Sequence, residues 1–331
     1  MSSSTLNLPL RYVFLLSILF LSLWIGLNDF PQELSVSTYS GFAFRLLIPI
    51  LGGNMVLLNI LTVLLPVVNG VLLNELFRNI KFFAGNSYLV LLGWCALMPL
   101  FPQNFGFDAV NLALFFVLLG SFLLFEFANA ETTTGKLINV SFMFSLASLV
   151  YYPVVWLIVI IPFAIALFRN FNVRSLFIIL FSFAAPYFYL FVYFYWFNRM
   201  DEFKEIFLVF LPSINLGFSV HYSVGEIVAF ILFAGLFVVG FFGMIRNYNS
   251  RLIQFRRIIS LTIVMSLLFI LLAAFYFSEI HAWILFLQAI LALWLSIAFI
   301  DIGNRKFFWS IIAILIVSPI LLSLFDAYFK L

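Results

Sequence analysis

NDFPQELSVSTYSGFAFR, Asn28–Arg45, is the first long polar interruption in a chain of 331 residues that is otherwise almost continuously apolar. It holds two acids, Asp29 and Glu33, directly after the apolar run Tyr12–Leu27 and before another that starts at Leu46. Apolar runs of this length, cut by short polar loops, repeat to the end of the chain. With 66% hydrophobic and 9% charged residues and a mean hydropathy of +1.22, the sequence carries more apolar surface than one water-soluble core can hide. A bilayer is the solvent that accommodates it. Lipid offers the backbone no hydrogen-bond partners, and the runs lack the period-two alternation of a barrel strand, so the spans must be helices. The fold class expected is an all-α polytopic integral membrane protein.

The chain then reads in order. Residues 1–9 are a polar start, and Tyr12–Leu27 is expected as an uncleaved first span, because no small-x-small cleavage site follows it. Leu46 to about Leu73 reads as a second span with an unusual polar set, Asn54, Asn59 and Asn69, amides that either glue helices together or line a polar cavity. Further spans are expected at 88–100, 109–127, 175–197, 226–245, 258–277, 284–300 and 307–325. The runs 137–150 and 154–168, hinged at Tyr151–Tyr152–Pro153, each fall below the roughly 20 residues that cross a bilayer upright. They read as a short, shallow or re-entrant hairpin. The total is about eleven transmembrane helices in a single transmembrane domain, 1–331, with loops 28–45 and 198–225 as its candidate functional face. Within 198–225, the apolar stretch 205–211 is expected to lie along the membrane surface as an amphipathic helix.

Charge orients this layout. Twelve of the sixteen Lys and Arg fall on one side of the expected topology and nine of the thirteen acids on the other. By the positive-inside rule the basic side is cytoplasmic, which puts the amino terminus inside and the carboxy terminus outside. The net charge of +3 is therefore a matter of sidedness, and no nucleic-acid site is read from it. The single cysteine, Cys95, forms no internal disulfide and reads as a small packing residue. The 47 phenylalanines read as rings filling lipid-facing and interhelical space.

No zinc-hydrolase, serine-triad, P-loop, CxxC or dinucleotide fingerprint occurs and the chain has two histidines, so zinc hydrolysis, serine-triad chemistry and nucleotide hydrolysis on a P-loop have no support in the sequence. The chemistry left is that of carboxylates at the outer membrane surface. Asp29 is the first candidate for a general base that takes a proton from an acceptor hydroxyl, and Glu33 the second. Arg45, Arg199 and His221 are the candidate partners of a lipid phosphate, since arginine offers a bidentate fork and histidine carries charge when protonated. Glu279 and His281 flank a very short loop and read as structural caps. No resident cofactor is expected, and no metal is assigned.

The block 142–196 carries Tyr152–Pro153, then Phe168-Arg169-Asn170-Phe171-Asn172-Val173-Arg174, then Ala185-Pro186-Tyr187. In these features it resembles a family of polytopic inner-membrane proteins of Bacteroidota. More loosely, the layout is similar to GT-C glycosyltransferases, which use polyprenyl-phosphate sugars at the outer leaflet and carry an acid in the first outer loop. By position that acid is Asp29. The chain departs from the class in lacking an adjacent acidic pair in this loop and a large carboxy-terminal soluble domain. The resemblance implies a bacterial inner-membrane location, a lipid-linked sugar donor and a periplasmic acceptor. The expectation carried forward is a membrane glycosyltransferase with lipids and a polyprenyl-phosphate sugar as partners. The alternative is a non-catalytic subunit or scaffold of an inner-membrane secretion or translocation assembly, with other membrane subunits as partners.

Overall fold

The computed structural model describes residues 37–51, 54–79, 88–104, 106–127, 134–168, 172–209, 223–248 and 252–302. Among these residues the chain is helical, with one isolated antiparallel bridge, Ser40 to Tyr151, as the only extended pairing. The helices are α1 Phe42–Leu51, α2 Met55–Asn79, α3 Leu89–Leu97, α4 Ala109–Glu126, α5 Thr134–Val150 and α6 Ile160–Phe168. They continue as α7 Val173–Trp196, α8 Met200–Val209, α9 Val224–Tyr248, α10 Ile253–Phe275 and α11 Ile280–Ile302. Six helices, α2, α4, α7, α9, α10 and α11, are long and apolar enough to cross a membrane. The protein is a multi-pass helical membrane protein. Two of the expected spans, Tyr12–Leu27 and 307–325, lie outside the described residues. Each of the other nine coincides with helix.

The second expected span is corrected at its start. The run from Leu46 is not one helix, because α1 carries Pro49 and ends at Leu51, and α2 begins afresh at Met55. Asn54 caps the new start, its Oδ1 accepting the Leu57 N–H at 3.2 Å. Asn54→Ala removes this cap and is expected to cost about 1 kcal/mol, read as a lower thermal midpoint in detergent.

The hairpin is also longer than its residue count implies. Its second arm opens as an eight-residue 3₁₀ helix, Tyr152–Val159, before α6. Because a 3₁₀ turn rises about 2.0 Å per residue against 1.5 Å for an α-helix, this arm reaches roughly 30 Å and α5 roughly 26 Å. Lys136 near the start of α5 meets Glu126 at the end of α4, and Arg257 Nη1 donates to the Phe168 carbonyl at 2.9 Å. Both arms therefore run from the basic end to the Tyr151 hinge, and a shallow excursion is not what forms.

Helix α11 is the axis of the bundle: 89% of its apolar window is buried, against 22% for the peripheral α7 and α9. It packs on α3, α4, α9 and α10, while α5 sits between α4 and α7. Close approach requires small residues. A Cβ on Gly243 of α9 would fall within the radius of the Ala298 methyl of α11, and one on Gly120 of α4 would strike the Phe144 ring of α5. Buried polar side chains lock the crossings. Asn69 Nδ2 of α2 donates to the Asn111 carbonyl of α4 at 3.1 Å, Gln288 Nε2 of α11 to the Leu97 carbonyl at 2.9 Å, and Trp294 Nε1 to Thr262 Oγ1 at 3.1 Å. For Asn69, completely buried, the interhelical role expected of an amide holds. Asn59 is exposed on α2, lining an open groove with Val56, Ile60, Val63 and Leu64.

Candidate functional site at the acidic end

One end of the bundle is built where a strand-like segment meets the hairpin hinge. Residues Ser37–Gly41 lie against it: Gly41 N–H donates to the Val150 carbonyl at 2.7 Å, and Tyr152 N–H to the Tyr39 carbonyl at 3.1 Å. The approach is too close for any side chain at position 41, where a Cβ would overlap the Leu149 carbonyl. Glycine is thus what allows the loop to seat Tyr39 over the hinge.

Two further elements arrive at the same place. Asp108 is the N-cap of α4, its Oδ1 accepting the Asn111 N–H at 2.7 Å. Glu279 ends the 3₁₀ turn Phe277–Glu279 that leads into α11. The charges of Glu279 and Asp108 both act on the hydroxyl of Tyr151, together with the phenols of Tyr39 and Tyr276. The rings form a continuous chain: Tyr39 stands edge-on to Tyr276 at 5.4 Å, Tyr276 lies 6.1 Å from Trp283, and Trp283 lies 6.4 Å from Tyr151. Tyr276 is anchored from α5's hairpin by Trp156, whose Nε1 donates to its hydroxyl at 3.0 Å.

Electrostatics set the acid apart. A helix N-terminus and its cap bonds favour an ionised Asp108. Desolvation outweighs them, because the carboxyl keeps only a partly accessible edge, and it is pushed up from 3.8 to about 6. Among the described residues, neither Asp108 nor Glu279 has a Lys or Arg within ion-pair distance. Such an acid is a proton acceptor poised close to neutral pH. Among the described residues no group of three or more His, Cys, Asp or Glu is placed to hold a metal ion.

The residues singled out from the sequence fare unequally. Asp29, Glu33 and His221 lie outside the described residues. Arg45 is exposed at the start of α1, with one long hydrogen bond of 3.4 Å from Nη2 to the Thr38 carbonyl. Its charge reaches Tyr152 at the hinge. Arg199 pairs with Glu202, Nε and Nη2 each donating at 2.6 Å, and that carboxylate raises its already high pKa. The pair stands in solvent at the α7–α8 corner. The surface helix forms, but as Met200–Val209, starting five residues before the stretch expected. Its Ile206 is buried in a cluster with Leu149, Tyr152, Leu190 and Phe194, while Asp201 and Lys204 pair at 2.9 Å in solvent.

Glu279 ends the turn that leads into α11, and its charge acts on Tyr151. Glu226 caps its own helix: Ser223 Oγ accepts its N–H at 3.1 Å, and its carboxylate accepts the Ser223 N–H at 2.9 Å, a capping box at the start of α9. Gln103 bonds the same carboxylate, joining the 102–104 turn to α9. The sequence signal for Asp108 was local, an acid three residues before Asn111 at the head of an apolar run. Nothing local joins it to position 279. In comparison with protein-family models, with curated proteins and with solved structures, the chain matches none.

Proposed function

We propose that the chain is a membrane glycosyltransferase working at its acidic end, moving a sugar from a polyprenyl phosphate to an acceptor hydroxyl on the periplasmic side of a bacterial inner membrane. The observation that supports this reading is Asp108 at the head of α4, its carboxyl raised to about 6 by burial, with no Lys or Arg within ion-pair distance among the described residues. In the step envisaged, the acceptor O–H gives its proton to Asp108 and its oxygen bonds to the anomeric carbon. The bond from that carbon to the phosphate oxygen breaks, and the polyprenyl phosphate leaves with the electron pair. Arg45, across the hinge beside Tyr152, is the arginine whose fork remains open to that phosphate. Asp29 and Glu33, a few residues before Ser37 in sequence, stay as further candidate acids, and His221 as a further phosphate partner.

The test is transfer from a labelled polyprenyl-phosphate sugar in membranes containing the protein. Labelled product that depends on the chain and falls in Asp29→Asn or Asp108→Asn supports the reading. Full transfer by both variants removes both acids from it.

The second reading is a non-catalytic subunit of a membrane assembly, with the outward rings of α7, Phe181, Tyr189 and Trp196, as the face on which to seek a partner. A stoichiometric partner crosslinked to α7 in gentle detergent supports it, and recovery of this chain alone counts against it.

A further inference from the structure

We propose that the open groove on α2 is the seat of the apolar run Tyr12–Leu27, which packs along it and supplies its second wall. This contact stands apart from the transferase reading, since it concerns how the chain closes on itself.

The groove runs along the first half of α2. Val56, Asn59, Ile60, Val63, Leu64 and Val67 line it at the three- and four-residue spacing of one helix face, over roughly 18 Å. Its volume is about 510 Å³, room for a row of side chains rather than for one solvent molecule. Among the described residues α2 alone lines it, and the face of one helix is convex, so a groove there needs a second wall. The opposite face of the helix is already committed, with Leu58, Leu65 and Asn69 buried, while Val56 and Ile60 stay 69% and 56% exposed.

Asn59 marks the groove as a surface for another helix rather than for lipid. Its exposed amide, with two N–H donors and a carbonyl, pairs with nothing among the described residues. An amide facing hydrocarbon is costly, whereas one facing a neighbouring helix finds a polar group there. Ser17 and Ser22 bring hydroxyls into the run Tyr12–Leu27.

Chain connectivity selects this run. Its sixteen residues amount to roughly 24 Å of helix, enough to cover the groove. Nine residues, 28–36, join it to Ser37, a reach of at most about 30 Å, and Ser37 leads through α1 directly into α2. The other expected span outside the described residues, 307–325, instead follows α11 after only four residues, and the main neighbours of α11 are α3, α4, α9 and α10. Docked along α2, Tyr12–Leu27 ties down the far end of the stretch that carries Asp29 and Glu33.

Thiol crosslinking of the full-length protein in membranes tests this. Val63→Cys, with Cys95→Ala, is combined with a single cysteine at each position of Tyr12–Leu27 and, separately, of 307–325. Links made by a short bifunctional thiol reagent are located by mass spectrometry. Links within one chain to Tyr12–Leu27 are expected, recurring every three to four positions as one helix face against another demands, and at least tenfold stronger than any to 307–325. Asn59→Cys serves as the second reporter, and gel filtration checks that each variant folds. Preferred links to 307–325 give the groove to that run and overturn the proposal. Links between two copies give it to a dimer and overturn it equally. No link from either reporter leaves lipid as the occupant, which overturns it as well. Because no turnover is read, the result is separate from the fate of the transferase reading.

Discussion

Asp108→Asn is expected to lower sugar transfer by about a hundred- to ten-thousand-fold, the range lost when a positioned general base is removed. The fold should survive, because asparagine caps a helix about as well as aspartate. Stability should in fact rise near neutral pH, and the sign follows from the buried carboxyl. Its folded pKa, about 6, lies above the ordinary value of 3.8, so the native state binds this proton more tightly than the unfolded chain. The stability it contributes is full below about pH 3.8 and is lost as pH rises through about 6. A two-unit shift corresponds to at most about 3 kcal/mol, and the partly accessible edge of Asp108 brings that to roughly 1–2 kcal/mol. The groups facing it are Glu279 from the turn before α11, and the phenols of Tyr151, Tyr39 and Tyr276. Of these only Glu279 also titrates below pH 8 at ordinary values. Thermal unfolding from pH 4.5 to 8 should therefore show a decline in the wild-type protein that is shallower in Asp108→Asn. An unchanged decline would assign the pH dependence to other acids.

Gly41→Val is expected to be strongly destabilising. A Cβ there overlaps the Leu149 carbonyl and crowds Val150, both backbone atoms that cannot swing aside. The loop must then leave the hinge, giving up the Gly41 to Val150 and Tyr152 to Tyr39 hydrogen bonds and the Tyr39–Tyr276 edge contact. Overpacking of this kind costs about 1–3 kcal/mol, and two lost backbone bonds add roughly 1 kcal/mol each. The variant should unfold at a clearly lower temperature. By contrast, Gly135 has open space where a Cβ would stand, so Gly135→Ala in the first turn of α5 should be close to neutral.

Much of the fold was legible because span length and hinge prolines are local properties. The hinge at Tyr151–Pro153 could be placed from the break in the apolar run alone. Its depth could not, since residue count conceals whether a segment winds as α or as the longer 3₁₀ form. The α1–α2 break was signalled by Pro49 and the Gly52–Gly53 pair, but a continuous apolar run overrode those signals. The capping box Ser223–Glu226 was readable as S-x-x-E before an apolar helix, and it explains an acid that composition alone counts only as outer charge.

The candidate site was harder for a different reason. Asp108, Tyr151 and Glu279 come from three loops far apart in sequence, and only packing around α11 unites them. Arg199 shows the converse, since it pairs with Glu202 only three residues on, in the first turn of α8.

Sidedness underlies the whole account, and cysteine accessibility measures it directly. The only native cysteine, Cys95, is buried in α3 and should not react. Arg174→Cys in the first turn of α7 and Asp201→Cys on α8, just beyond the far end of α7, place thiols at exposed positions either side of that span. In spheroplasts treated with a membrane-impermeant maleimide, Asp201→Cys should be labelled at once, and Arg174→Cys only after the membrane is opened. Labelling in the reverse order would put Asp108 and Glu279 in the cytoplasm and contradict the account.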